Sequence, residues 1–493
     1  MLESTFERLQ SWPEAGLHGR RKIYTNKRVV TPENVLEVVG KANTVHAKNW
    51  GEIQYLYDVY RGVMDVRHKQ KLVREDINNK VVVNRANEIV TFKTSYFLSD
   101  PIQYVSNSGD DDVSKKVKRL NDFMDAEDKT SLDKQVVDWM HICGVGVRLV
   151  LPDEQYTDDG SPIAVYSLDP RGAYVIYYSG VGERPMAGVL IQKDEEDNTV
   201  YCVYTADSYY EISGGKVVDR KPHALQDIPI IEYENNSARL GAFEVVMPLL
   251  NNINTIESNR VDSVQDFVNA YDVFQNCEIE DEQYSKLSTG GKAVNIKGQP
   301  GLEAKVYRIA SELNQTNTQT LVDDMYDEIL TICGMPNRNG GSSTSDTGQA
   351  TIMRDGWQAA EARAKDTQDT FNSSERQFLR IVLRICRDYA NLDLRLSDIK
   401  IEHTRNNLSN MQSRMQVLCE GLNNDKIHPK IPWIVSGMPN AEEWYRMSQE
   451  YYEQEQAELN RTLRDELNAN RTESVPNSGQ STGTSRSQSS QAV

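Results

Sequence analysis

The side chains in this 493-residue chain that could carry out chemistry are dispersed, and their spacing argues against most of it. Gly290, Gly291 and Lys292 supply the Gly-Gly-Lys of a phosphate cradle. Ala293 follows, however, and the upstream glycine that would shape the loop is missing, so no nucleotide site is expected. His141 and Cys143 stand two residues apart in WMHICGVG, but helical geometry turns residues at that spacing to different faces, and both are read as structural. Asp110, Asp111 and Asp112 follow SNSG in the manner of a metal-binding loop. Adjacent carboxylates without an ordered ligand spacing read instead as a solvated turn. No HExxH, GxSxG or zinc-type Cys/His spacing occurs. The six cysteines, Cys143, Cys202, Cys277, Cys333, Cys386 and Cys419, form no CxxC pair and read as reduced, structural thiols. The chain is therefore not expected to be an enzyme, nor to hold a cofactor or a metal.

The elements that position these residues carry more information. Between Ile228 and Gly348 the order is IPIIEYENN, a long amphipathic helix, a Gly-rich strand segment, a second long helix and the polar loop NGGSSTSDTG. In the first helix Val246, Leu249, Leu250, Ile253, Ile256, Val261, Val264, Phe267 and Val268 recur at three- and four-residue steps, an apolar stripe on a helical period. Pro248 fits its first turn, where a missing N–H costs little. Its polar face carries Glu257, Asn259, Asp262 and Asp266, with Arg260 as the exception. An ordinary solvated face is the plain alternative for these four. FQNCEIE, TGGKAVNIKG and AKVYRIA follow as short β-type runs, resembling a small α/β insertion. The second helix runs from about Glu312 to Cys333, with Leu313, Leu321, Met325, Ile329 and Ile332 on its apolar side, and Gly334 and Pro336 end it. Two long helices joined by a compact insertion, with a flexible loop after the second, suit a ring enclosing a channel better than a catalytic pocket.

Upstream, residues from about Thr31 to Arg67 read as helical, as do VVVNRANEIVTFKTSYFLSDPIQYV and SKKVKRLNDFMDAEDKTSLDKQVVDWMHICGVG. From Val145 the period becomes strand-like through VGVRLVLPDE, IAVYSLDPRGAYVIYYS, MAGVLIQKDE, TVYCVYTADSYYEI and KVVDRK, which predicts an antiparallel sheet. Downstream, the sequence predicts a helix from about Ala350 to Ala390, a strand in IKIEHTRN and two further helices, with a Ser/Gln/Gly-rich tail from Val475. The net charge of -18 and pI near 5.0 argue against a broad basic grip on nucleic acid but permit DNA to slide past, since an acidic wall leaves few sites where phosphates stick. The N-terminus lacks the order of a signal peptide, and no apolar run is long enough to span a bilayer. A soluble protein, cytosolic when made, is expected.

KVVVNRANEIVTFKTSYFLSDPIQYV at 80–105, SLDPRGAYVIY at 167–177, the long stretch at 227–274 beginning DIPIIEYENN and the Gly/Ser loop before IMRDGW together resemble the portal proteins of tailed bacteriophages, nearest to their SPP-one-type subgroup. The resemblance covers roughly residues 30 to 460. Two positions depart from the pattern: Ser99 and Asp100 precede Pro101 where members often carry Gly before the proline, and Tyr233 stands where Phe is common.

The resemblance implies an α+β, mostly α, portal fold of wing, stem, clip and crown, assembled as a ring around a central channel. The implied division is an N-terminal arm at 1–30, a wing at 31–242, stem helices at 243–269 and 310–333 around a clip at 270–309, a wing return at 334–405, a crown at 406–465 and a disordered tail at 466–493. The tunnel loop at 339–349 would centre on Gly340, Gly341, Ser342, Ser343, Thr344, Ser345, Asp346, Thr347 and Gly348. Glu257, Asp262 and Asp266 are the candidates to face the bore and repel phosphates, and Glu278, Glu280, Asp281, Lys292 and Lys297 are the clip candidates for docking a motor. Implied partners are further copies of the chain, a dodecamer foremost, together with the terminase large subunit, major capsid and scaffolding proteins and a head-completion adaptor. Double-stranded DNA would pass through without sequence-specific contacts, and no membrane is involved. The protein would sit at one capsid vertex of the virion. Another virion structural protein, such as a connector or minor capsid component, is the alternative.

Overall fold

The computed structural model describes residues 19–72, 75–108, 110–157, 160–268, 271–278, 297–298, 303, 305–309, 315–337, 356–405, 408–424, 426–436 and 441–472. The chain divides into two compact units at Arg405 and Asn406.

In the first unit a strand β1 (Ile23–Thr25) precedes helix α1 (Val35–Tyr60). Helix α1 buries Val35, Val38, Val39 and Ala42 against a sheet, and further along the same helix Ile53 and Leu56 enter a second apolar cluster. That sheet runs β1-β5-β6-β7-β8-β9, where β5 is Ala173–Tyr178, β6 Pro185–Lys193, β7 Thr199–Tyr204, β8 Ser208–Ser213 and β9 Lys216–Pro222. Strands β5 to β9 pair antiparallel, as their alternation predicts. Strand β1 corrects that picture: it joins the edge parallel to β5, with Ile23 opposite Ile176. Residues 23–25, read as part of an arm, are thus paired into the sheet, and nearby Arg20 is fully buried against Glu244 at 2.7 Å.

The segment read as one helical stretch from Lys80 to Val105 is divided by its own turn chemistry. Residues 80–83 run extended, and a tight turn follows at Asn84, where the Arg85 N–H donates to the Val83 carbonyl at 2.9 Å. Helix α2 (Arg85–Phe97) starts where Asn84 Oδ1 accepts from the Asn87 N–H at 3.1 Å, and strand β2 (Gln103–Ser106) follows Pro101. Helices α3 (Asp111–Ala126) and α4 (Lys129–Cys143) come next. Asp110 caps α3, its carboxylate accepting from the Asp112 N–H at 2.9 Å, which accounts for one of the three adjacent aspartates. Gly144 ends α4 at φ +86°, and a Cβ there would meet the Arg239 carbonyl oxygen at 2.1 Å, so this glycine is required twice over.

Strand β3 (Val145–Pro152) lies between β10 (Ile230–Glu234) and β4 (Ile163–Leu168) in a second, three-stranded sheet. Two long helices follow, α5 (Met247–Val268) and α6 (Gln315–Cys333). Strands β11 (Tyr271–Gln275) and β14 (Lys305–Ile309) pair antiparallel near the ends of these helices, and β12 (Cys277–Glu278) pairs with β13 (Lys297–Gly298). Helix α7 (Trp357–Ala390), 34 residues and so about 51 Å long, buries Phe371, Phe378, Leu379, Val382 and Cys386. Strand β15 (Ile399–Glu402) then pairs with β2. The second unit holds α8 (Leu408–Leu422), α9 (Lys430–Val435) and the 32-residue α10 (Ala441–Thr472).

Candidate channel elements and their anchoring

Helices α5 and α6 meet through the residues their periodicity selects. Leu250 and Ile253 of α5 are buried with Val322, Ile329, Leu330 and Cys333 of α6, over Phe243 and Val246. The apolar stripe of α5 does not stay inside the protomer. Its C-terminal half surfaces at Val261 and Val264, which are 40% and 45% exposed, and α6 exposes Leu321 and Ile332.

The polar side of α5 carries a different pattern. Asn254, Ser258 and Asp262 are spaced by four residues and are 0%, 0% and 2% exposed. Against them lies the extended segment 79–83. The Val83 N–H donates to Asn254 Oδ1 at 2.7 Å, the Val81 N–H to Ser258 Oγ at 2.9 Å and the Asn79 N–H to Asp262 Oδ1 at 2.7 Å. Four helical residues climb about 6 Å and two extended residues about 6.6 Å, so the helix presents one acceptor for each outward N–H of the strap. One turn earlier, Asn251 donates to Asp65 Oδ2 at 2.8 Å. Lys69 closes the far end, its ammonium donating to Asp262 Oδ2 at 2.8 Å, with Lys71 at 3.6 Å. Burial pushes the Asp262 carboxyl upward, but the donors on Lys69 and Asn79 outweigh it and hold its pKa down at about 2.

Asp262 therefore does not meet the expectation that it faces a bore. A polar position on an amphipathic helix reads as solvent-facing, and here a strap from far upstream covers it. Glu257 is half-buried and ion-paired with Arg260 at 2.8 Å. Asp266 belongs to α5, but its side chain lies outside the described residues. Of the clip candidates, Glu278 and Lys297 are cross-strand partners between β12 and β13. Glu280, Asp281 and Lys292 lie outside the described residues, as does the whole loop from Gly340 to Gly348.

A second anchor fixes α7. Glu375, fully buried, accepts from the hydroxyls of Tyr104 at 2.5 Å and Tyr233 at 2.6 Å, from Arg148 Nη1 at 3.2 Å and from Lys129 Nζ at 2.9 Å. Asp133 pairs with Lys129 at 2.6 Å and with Arg148. Two cations balance two carboxylates, and the cluster joins α7 to α4, β2, β3 and β10. Burial raises the Glu375 pKa, and the adjacent Lys129 and Arg148 more than reverse that, keeping it ionised. Periodicity did not single this cluster out. Its one visible signal is Arg148 in the middle of the apolar run VGVRLVLP.

His141 and Cys143 are both buried. The His141 Nδ1 lies 3.0 Å from Thr94 Oγ1, and burial pushes its pKa down to about 3. Burial likewise pushes the Cys143 thiol up to about 12, so neither is poised as a base or a nucleophile at neutral pH. Among the described residues no cluster of His, Cys, Asp and Glu could hold a metal ion, and no helix is long and apolar enough to cross a membrane.

The described residues define a mixed α+β protein in which two long helices bracket small β pairs and leave apolar residues uncovered on both. The sequence model of the family described as "Phage portal protein, SPP1 Gp6-like" matches residues 40–461, and the chain belongs to that family. The portal protein of Bacillus phage SPP1 is similar to it, 22% identical over 281 residues that cover 51% of this chain and 52% of that protein. The chain thus spans about half the length of the curated relative it matches. A solved structure, the neck of an empty GTA particle computed with C6 symmetry, aligns with a TM-score of 0.41 and 13% identity, covering 72% of this chain and 90% of that one.

Proposed function

We propose that this chain is the portal subunit of a tailed bacteriophage, a non-catalytic ring protein at one capsid vertex whose channel passes double-stranded DNA during packaging and ejection. Family membership supports the portal role, and one structural observation carries the ring: Val261, Val264, Leu321 and Ile332 stay exposed on the two long helices. Burying an aliphatic side chain of this size is worth about 1.5–3 kcal/mol, a strong drive for neighbouring copies to cover these positions.

In this reading α5 and α6 are the stem, with β11 to β14 as the clip between them, and residues 339–349 are the tunnel loop. The helices of the second unit belong to the crown. The clip docks a terminase that supplies ATP-driven force and later a head-completion adaptor. Capsid and scaffolding proteins hold the outer surface. Gly-rich loops change backbone angles cheaply, so loops from every copy could follow a moving duplex without fixed contacts.

Native mass spectrometry tests the assembly. Rings of about twelve 56.0 kDa subunits are expected, and a stable monomer under assembly conditions would overturn the proposal.

A further inference from the structure

Two adjoining hollows of about 310 and 340 Å³ open along α7 and share Asn372 and Arg376. Lys400 of β15 lines one and Gln377 and Arg380 the other, over an apolar floor that includes Leu379 and Ile399. Arg376 and Arg380 are exposed and stand four residues apart, so their like charges face each other across one helical turn and repel. Among the described residues neither guanidinium has an ion-pair partner. The neighbouring Glu375 points to the other side of α7, where Lys129 and Arg148 occupy it. Asn372 is oriented as well: its Oδ1 faces His403 Nε2 at 2.8 Å, which leaves its amide N–H groups for the groove. Lys400 is held 2.8 Å from Glu402, and Asp369 at one end of the groove offsets one of the two guanidinium charges, which leaves the groove net positive. Two unpaired guanidiniums beside a side-chain amide donor, in a chain of net charge -18, form an arrangement that an external oxyanion would complete.

We infer that the groove formed by Arg376, Arg380 and Asn372 binds a phosphate ester, foremost the phosphodiester backbone of a nucleic acid. Guanidinium forks match phosphate oxygens in pairs, and nothing in the groove reads a base edge, so binding is indifferent to sequence. The inference rests on the reading of this chain as one that meets double-stranded DNA.

The test uses the full chain and a fluorescein-labelled 20-base-pair duplex, with binding followed by anisotropy across a salt series. For the double variant Arg376→Gln/Arg380→Gln, the slope of log K against log salt should shrink by about 2, with equal loss for unrelated duplex sequences. Arg387→Gln, which removes an exposed cation of the same helix already paired with Asp388, should leave the slope unchanged. Inorganic phosphate binding that the double variant abolishes, with duplex binding unmoved, would support the phosphate site but assign it to a free phosphate ester. Polyglutamate binding as tightly as the duplex, or a slope and affinity untouched by the double variant, would overturn the inference. Native mass spectrometry of the same samples separates the two readings. Rings with an unmoved slope discard the groove alone, whereas monomers discard the portal assembly whatever the groove binds.

Discussion

Asp262 shows how one carboxylate can be placed correctly on a helix and still be assigned the wrong task. Its spacing on α5 puts it on the polar face, but Lys69 and Asn79 turn that position into a buried anchor. Hydrogen bonds to a charged group contribute about 1.5–3 kcal/mol, so Asp262→Ala should speed amide exchange at Asn79 by roughly 10- to 150-fold, and hydrogen exchange read by mass spectrometry would register it. The pH dependence has a definite sign. The folded pKa, about 2, lies below the ordinary value of 3.8. The carboxylate therefore stabilises the native state above the ordinary value, and that contribution is lost as pH falls toward the folded one. Thermal melts of the wild type should drop across that window more steeply than those of Asp262→Asn, and parallel curves would exclude the anchoring role. Glu375 sits under a stricter constraint, because removing its charge leaves buried Lys129 and Arg148 sharing only Asp133. Glu375→Gln should cost about 3–5 kcal/mol, measured by the shift in denaturant midpoint of the first unit.

At the scale of elements, the two anchors fix the long helices by different means. The strap at 79–83 holds α5 through neutral and charged acceptors at every fourth residue, and the buried charge cluster holds α7 to two sheets. The elements proposed to touch DNA or the motor, the loop at 339–349 and the strands between α5 and α6, follow or precede these rigid pieces in the chain. Deleting Gly340 to Gly348 is accordingly expected to leave assembled rings intact while abolishing DNA-filled heads. Ring mass and head DNA content are the two measurements, and normally filled heads would remove the tunnel-loop assignment.

At the scale of the whole molecule, large apolar side chains stay uncovered in both units among the described residues. The second unit exposes Ile431, Ile434, Val435, Trp444, Met447 and Tyr451, as α5 and α6 of the first expose Val261, Val264, Leu321 and Ile332, and Leu418 is among the few buried side chains of its described residues. Neighbouring copies that cover these positions would add stability to a protomer that already has its own buried core. Val261→Asp/Val264→Asp changes two exposed positions and should leave the protomer folded, while a charge placed at each subunit contact drives native mass spectra from rings to monomers. Rings persisting at wild-type abundance would show that these valines lie outside the interface.

Element type was legible in the sequence where local period governs it: α1, α5, α6, α7 and the strands from β3 to β9 follow three- and four-residue or alternating spacing that any single-chain reading detects. The failures share one physical cause. Residues 80–84 carry an apolar run, VVV, that suits a helix or a strand equally, and its extended form is decided by acceptors on α5 more than 170 residues away. The stripe of α5 names an apolar face, but only the structure shows that α6 covers Leu250 and Ile253 while Val261 and Val264 stay exposed. Ile23 to Thr25 becomes an edge strand only because β5 offers it unpaired backbone groups. Periodicity reports what a segment can bury, and only the tertiary structure decides which partner covers it, because that partner arrives from a distant part of the chain.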